Sequence, residues 1–178
     1  MLVDKNVIEA FKKNYNESEM VLIGIGNELH TDMFNSAEDM KKMLEHYNRI
    51  LDKKNYFIIT SLAQNIFKDT EFNKKRIVNP VMIDNTGEAE EKQTEEKQWE
   101  LYNKWLSATL NHKLMIVELG EGFSRPNIFR WPFEKITFIN QKSVMYRINQ
   151  HFYQLPENIS ERAFSVECNS LRFLECLV

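Results

Sequence analysis

Three short runs constrain this chain more than anything else in it: Met20-Val-Leu-Ile-Gly-Ile, Tyr56-Phe-Ile-Ile-Thr-Ser and Leu114-Met-Ile-Val-Glu-Leu. Each is about six residues long, nearly continuous in apolar side chains, and too short for a buried helix. A run of this kind is a strand covered on both faces, because a strand with one wet face would alternate. Between them lie segments of helical period. Met40, Met43, Leu44, Tyr47, Ile50 and Leu51 make one stripe, opened by Ser36 as an N-cap with Asp39 three residues on. Trp99, Tyr102, Trp105 and Leu106 make another, which reads as a core face. Val3, Val7, Ile8 and Phe11 make a third, before the first strand. Buried strands alternating with helices predict an α/β fold, a single Rossmann-like domain over 1–178 with a mainly parallel sheet of about six strands. The remaining strands are expected at Arg76 to Asn79, an edge stopped by Pro80, at Ser143 to Ile148 and at Ala163 to Glu167. Short helices are expected over Gln64 to Lys68 and Pro132 to Asn140, and a last one from Ser170. Residues 84–97, DNTGEAEEKQTEEK, read as an acidic exposed loop whose later glutamates enter a helix.

Composition narrows the function classes. At 178 residues and 43% hydrophobic, the chain has enough apolar material for a core without a metal or a disulfide. A net charge of -3 gives no expectation of nucleic acid or of an anionic membrane as partner. No apolar run approaches the roughly 18 residues of a membrane span, and the N-terminal segment lacks a signal-peptide core. Cys168 and Cys176 are the only cysteines, too few for a zinc site, and read as buried thiols in a cytoplasmic protein. A protein partner or a homo-oligomer stays open.

Parallel sheets collect ligands beyond the carboxyl ends of their strands. Four of those ends are chemically unusual here. Gly24-Ile25-Gly26-Asn27 allows a tight turn or a close backbone approach to phosphate. It lacks the third glycine of the dinucleotide fingerprint, since Leu29 stands there. Thr60-Ser61 offers hydroxyls to a ribose or to a helix cap. Gly120-Glu121-Gly122-Phe123-Ser124-Arg125 adds a second glycine turn beside Arg125 and Arg130, which either meet phosphate or pair with Glu121 and Glu134. Asn149 closes a fourth strand, as a ribose or adenine contact or as a turn residue. Four such ends on one rim favour a nucleotide ligand.

Those segments in that order, GIG, YFIITS, ELGEGFSRPNIFRWPFEKI and YRIN, resemble the sirtuin (SIR2) family, most of all its divergent microbial branch. The resemblance runs from about Met20 to Leu177 and is most specific over Glu118 to Phe133. It implies NAD or ADP-ribose as ligand on a six-stranded parallel sheet, and lysine deacylation or ADP-ribosyl transfer as the family's chemistry. By position it implies cofactor contacts at Gly24, Gly26, Asn27, Thr60, Ser61, Gly120, Gly122, Ser124, Arg125, Asn149 and Asn169, the last in Cys168-Asn169-Ser170 near the adenine.

The departures from the family are in its catalytic parts. Leu62 and Gln64 stand where an Asn and an Asp serve the nicotinamide ribose. "RIVNPVM" lacks the catalytic His-Gly pair, and "NELHTDMF" replaces the cofactor loop's Pro-Asp-Phe-Arg. The four zinc cysteines and most of the small domain are absent, and residues 84–97 occupy that part of the chain. No metal site is expected. His30 is the candidate for a replacement base, with His151 behind it. The expectation is a degenerate sirtuin-like binder of NAD or ADP-ribose. An active ADP-ribosyltransferase or deacylase with a rebuilt site, using His30, Glu121 or Asn27, and a scaffold without ligand are the alternatives.

Overall fold

A computed structural model describes residues 3–29, 34–62, 66–85 and 89–177. His30, Gln64 and residues 86–88 of the acidic segment lie outside the described residues. The elements run α1 (Lys5–Glu17), β1 (Met20–Ile25), α2 (Ala37–Leu51), β2 (Asn55–Thr60), β3 (Ile77–Val78), α3 (Pro80–Asn85), α4 (Ala89–Ser107), β4 (Leu114–Leu119), α5 (Arg130–Ile139), β5 (Val144–Asn149), β6 (Ala163–Glu167) and α6 (Ser170–Glu175).

The six strands form one sheet in the order β3-β2-β1-β4-β5-β6, and every neighbouring pair is parallel. This is the doubly wound Rossmann order. The chain builds outward from β1 in one direction, then returns across the sheet through α4 and builds outward from β4 in the other. Each face of the sheet is covered. Alternate residues of β1 divide between the two cores. Val21 and Ile25 join Phe11, Leu44, Leu51 and Phe173 under α1, α2 and α6. Met20 and Leu22 join Phe57, Tyr102, Trp105, Phe129 and Phe133 under α4 and α5. Full burial of a side chain such as Phe133, at 0% exposure, stabilises the fold by roughly 1.5–3 kcal/mol.

One helix start behaves as the sequence predicts, and a second shows a cap that was not expected. Ser36 Oγ accepts from Asp39 N at 3.1 Å and caps α2. Asn169 caps α6, accepting from Leu171 N and Arg172 N. Three expectations are corrected. Pro80 stops β3, but it then occupies the first position of a helix, α3, where its missing N–H costs nothing. The residues Ile66–Asp69 form turns rather than part of a helix. Cys168 is buried as expected, whereas Cys176 is exposed because it follows the end of α6.

Candidate functional site

Register puts the unusual strand ends side by side. Ile25 is level with Thr60 on one flank and Leu119 on the other, Leu119 with Ile148, and Ile148 with Val166. Gly26, Ser61, Gly120 and Asn149 therefore follow on one rim. Strand order reverses between β1 and β4, so the two glycine turns meet at the topological switch point.

The two turns touch. A Cβ on Gly26 would lie 2.5 Å from Glu121 Cα and 2.6 Å from its N. Gly120 adopts φ 69°, in the region that favours glycine, and faces Glu28. Their amides are taken: Gly26 N donates to Leu119 O at 2.8 Å and Gly120 N to Ile148 O at 2.9 Å. Gly24 lies inside β1, facing α5, with the Phe129 and Phe133 rings in the space a side chain would need. Close backbone approach does explain these glycines, and what approaches each of them here is protein. Gly122 differs, since a Cβ there would meet only the Phe152 ring, at an ordinary 3.6 Å.

Beneath the rim lies a charged network. Glu118 of β4, 0% exposed, receives Arg147 of β5 at Nε–Oε1 2.8 Å and Nη2–Oε2 2.9 Å. Arg130, at the start of α5, adds Nη1–Oε1 at 3.1 Å. Arg147 also meets Glu134 at 2.8 Å. Burial pushes the Glu118 carboxyl up, and Arg147 and then Arg130 pull it back down. Arg130 itself is 2% exposed and donates to the carbonyls of Glu121 and Phe152. Of the two alternatives for Arg130, phosphate or carboxylate, the structure has the second, with Glu118 as the partner: its guanidinium is buried in a structural network, with the Phe123 ring 4.4 Å away.

Glu121 is the second buried carboxylate. Ser61 Oγ donates to its Oε2, while its Oε1 has no hydrogen-bond partner. Burial raises its pKa, and the Ser61 hydrogen bond opposes that. Asn149 fixes the same turn, donating to Glu121 O at 2.9 Å and accepting from His151 N and Phe152 N. Thr60 Oγ1 donates to Ile25 O at 3.0 Å. Thr60, Ser61 and Asn149 are all buried and hold the rim together.

Against protein-family models the chain has no match. By sequence it is similar to a curated protein. That relative, from Staphylococcus aureus (strain Mu50 / ATCC 700699), is named "Protein ADP-ribosyltransferase". Identity is 29% over 65 residues, which is 36% of this chain and 21% of the relative. The chain thus matches about a fifth of that protein's length. Among solved structures it is similar to an exopolyphosphatase-related protein from Bacteroides fragilis, with TM-score 0.49 and 12% identity over 98% of this chain and 43% of the other.

The exposed part of the rim is made of Asn27, Ser124 and Arg125, with Gly122 half-buried beside them. Asn27 Nδ2 donates to Ser124 Oγ at 3.3 Å, bridging the β1 and β4 turns. Phe123 and Phe152 stand edge to face next to them, 5.3 Å between centroids. Farther along, a polar hollow of about 680 Å³ lies beyond β5 and β6, lined by Asn35, Gln150, Cys168, Asn169 and Arg172 among others. Asn169 sits in that hollow, so the structure brings it to the same side as the rest. Glu28 is the residue that sequence reasoning passed over. Its carboxylate accepts from Gln150 N at 2.7 Å, Ser170 N at 3.0 Å and Ser170 Oγ at 2.9 Å, tying the β1 turn to the ends of β5 and β6. Its only sequence signal was an acidic residue two places after a glycine. No group of His, Cys, Asp and Glu suited to a metal occurs among the described residues. No helix among them is long and apolar enough to cross a membrane.

Proposed function

We propose that this chain binds a nucleotide containing ADP-ribose, NAD or ADP-ribose itself, across the rim formed by the β1, β4 and β5 ends. The observation that carries the reading is the reversal of strand order at β1 and β4, with the Gly26 and Gly120–Gly122 turns at that point. Open α/β sheets bind their ligands there. The similarity to a protein named as an ADP-ribosyltransferase supports it, as does the resemblance of the strand ends to sirtuins. The pyrophosphate lies over Asn27, Gly122 and Ser124 with Arg125 as its cation, and the adenosine half extends toward Gln150 and Asn169. Gly26, Gly120, Thr60, Ser61 and Asn149 act from below, by shaping the turns, and Gly24 by letting α5 pack close to β1. The hollow's volume falls in the range of roughly 300–1,000 Å³ usual for ligand pockets.

In this reading the protein binds without ordinary lysine deacylase chemistry, because the family's His, Asn and Asp are replaced. One observation favours a second reading. The unpartnered Oε1 of Glu121 is a proton acceptor next to the Gly122 turn, so an NAD-consuming site built on Glu121 is the alternative.

Calorimetric titration with NAD and with ADP-ribose, followed by chromatography of the NAD sample for released nicotinamide, tests both. Binding without release supports the binder. Release that disappears in Glu121→Gln supports the enzyme. If neither ligand binds at millimolar concentration, the turns serve packing alone and the proposal fails.

A further inference from the structure

A hollow of about 410 Å³ lies at the end of the sheet away from the nucleotide rim. Its walls are Tyr15 and Asn16 from the end of α1, His46, Arg49 and Ile50 from α2, and Lys53 and Lys54 from the turn into β2. Asn16 stands shortly before β1 and Lys54 immediately before β2, so the hollow sits at the amino ends of those strands. The rim sits at their carboxyl ends, about 20 Å further on at ~3.3 Å per residue.

The chain as a whole is acidic, with a net charge of -3. This hollow is not. Three of its wall residues are cations, a fourth is a histidine, and none is a carboxylate. The acids close to it in the chain have other partners: Glu17 pairs with Lys13 at 4.0 Å and Glu45 with Lys41 at 3.9 Å. Arg49 and Lys53 form no ion pair with an acidic residue among the described residues. A cation in the last turn of a helix answers the helix dipole, and that accounts for Arg49. It does not account for Lys53 and Lys54, which lie beyond the cap at Asp52.

Lys54 is held in place. It donates to Asn16 O at 3.1 Å and to Ser18 O at 2.6 Å, and its ammonium lies 5.0 Å from the centre of the Tyr15 ring. Tyr15 in turn donates to Ile50 O at 2.8 Å. Two of the three donors of the ammonium are used, and one remains. The hollow thus has one fixed, half-buried cation and two exposed, unpaired ones.

We propose that this hollow binds a phosphoryl group, as free phosphate or as the head of a small phosphate monoester. Such a group carries about -1.5 to -2 charges at neutral pH and three acceptor oxygens, which answers Arg49, Lys53 and Lys54 together. A carboxylate would bring one charge and two oxygens and leave a cation unanswered. Arg49 supplies the planar fork that meets phosphate oxygens in pairs. The volume lies within the roughly 300–1,000 Å³ of small-molecule pockets, so an organic group beyond the phosphate has room. The inference stands apart from the nucleotide rim, since none of its residues belongs to that rim.

The test is calorimetric titration of the full chain at low salt with inorganic phosphate and with glucose 6-phosphate, and with glucose as the uncharged control. One-to-one binding of both phosphates and none of glucose is expected. Tighter binding of the ester assigns the rest of the hollow to its organic part, and equal binding assigns the hollow to the free ion. Arg49→Gln with Lys53→Gln removes two exposed cations, should keep the melting temperature, and should weaken both phosphates about tenfold, close to 1.4 kcal/mol. Should that variant fail to fold by circular dichroism, Lys53→Gln alone decides. Arg125→Gln, at the rim, should leave both affinities unchanged. Absence of saturable binding at millimolar concentration overturns the proposal. So does binding that survives the loss of Arg49 and Lys53, or that falls with Arg125→Gln instead, since the phosphate would then sit elsewhere.

Discussion

Arg147 and Glu118 stand directly opposite each other on neighbouring strands, and the guanidinium holds both carboxylate oxygens, with neither residue more than 1% exposed. Taking away one member of such a pair leaves the other charged in a dry interior, a loss of about 3–5 kcal/mol. Glu118→Leu alone should cost an amount in that range by urea unfolding. Glu118→Leu combined with Arg147→Met should recover part of it, since no uncompensated charge is then left at this pair. A double variant as unstable as the single one would mean that Arg147 is needed for its bonds to Glu134 and to Gln154 O rather than for Glu118.

The glycines separate packing from binding. Gly26→Ala forces a Cβ onto the backbone of Glu121 and is expected to cost about 1–3 kcal/mol, as overpacking does. A Cβ at Gly122 would meet only the Phe152 ring, so Gly122→Val should cost less stability than Gly26→Ala. Gly122→Val should weaken ADP-ribose binding about tenfold, or 1.4 kcal/mol. Thermal melts run beside calorimetry check both variants. A Gly122→Val protein that melts early and binds normally would remove this turn from the ligand site.

Glu121 sets a pH dependence. Its folded pKa is raised by burial, so the folded state holds its proton to higher pH than the unfolded chain does. The stability this group contributes is complete below the ordinary carboxylate range. It declines as pH rises through the raised folded value. Wild-type stability at pH 5 should therefore exceed that at pH 7.5 by more than it does in Glu121→Gln. Equal slopes for the two proteins in urea titrations at those pH values would show that Glu121 does not govern this window.

The two thiols should react unequally. Cys176 is exposed, while Cys168 is buried and its pKa is pushed up by burial, so the reactive thiolate is scarcer there. Mass spectrometry after brief iodoacetamide treatment should find Cys176 modified and Cys168 largely free. Equal labelling would indicate that α6 opens readily.

Much of the fold was legible because buried parallel strands have a plain signature. MVLIGI, YFIIT and LMIVEL contain almost nothing that tolerates water, and their spacing left room only for crossover helices. The order of the strands was not legible, since every parallel arrangement of such runs looks alike in one dimension. α3 was missed because Pro80 carries two meanings, a strand stop and a helix start, and only the first was used. The site was half legible. Glycines at strand ends were visible, but whether a ligand or another turn fills the space beside them depends on contacts such as Gly26 with Glu121. The charged network had a signal that went unused: Glu118 in LMIVEL and Arg147 in VMYRIN are the charged residues inside otherwise apolar strands. Two opposite charges placed so predict each other as partners. Arg130 looked like a phosphate ligand because nothing in the sequence reported its burial.

The strand order also has a consequence in time. β1 lies at the middle of the sheet, yet its second neighbour is β4, and residues 26 to 113 separate them. During synthesis, β1 pairs first with β2 and leaves its other apolar edge bare until Leu114–Leu119 emerges. A contact that waits on so much chain is slow to close. In that interval the bare edge of Met20–Ile25 is open to another nascent copy, which makes this stretch the natural target of a chaperone and the first place to look for aggregation.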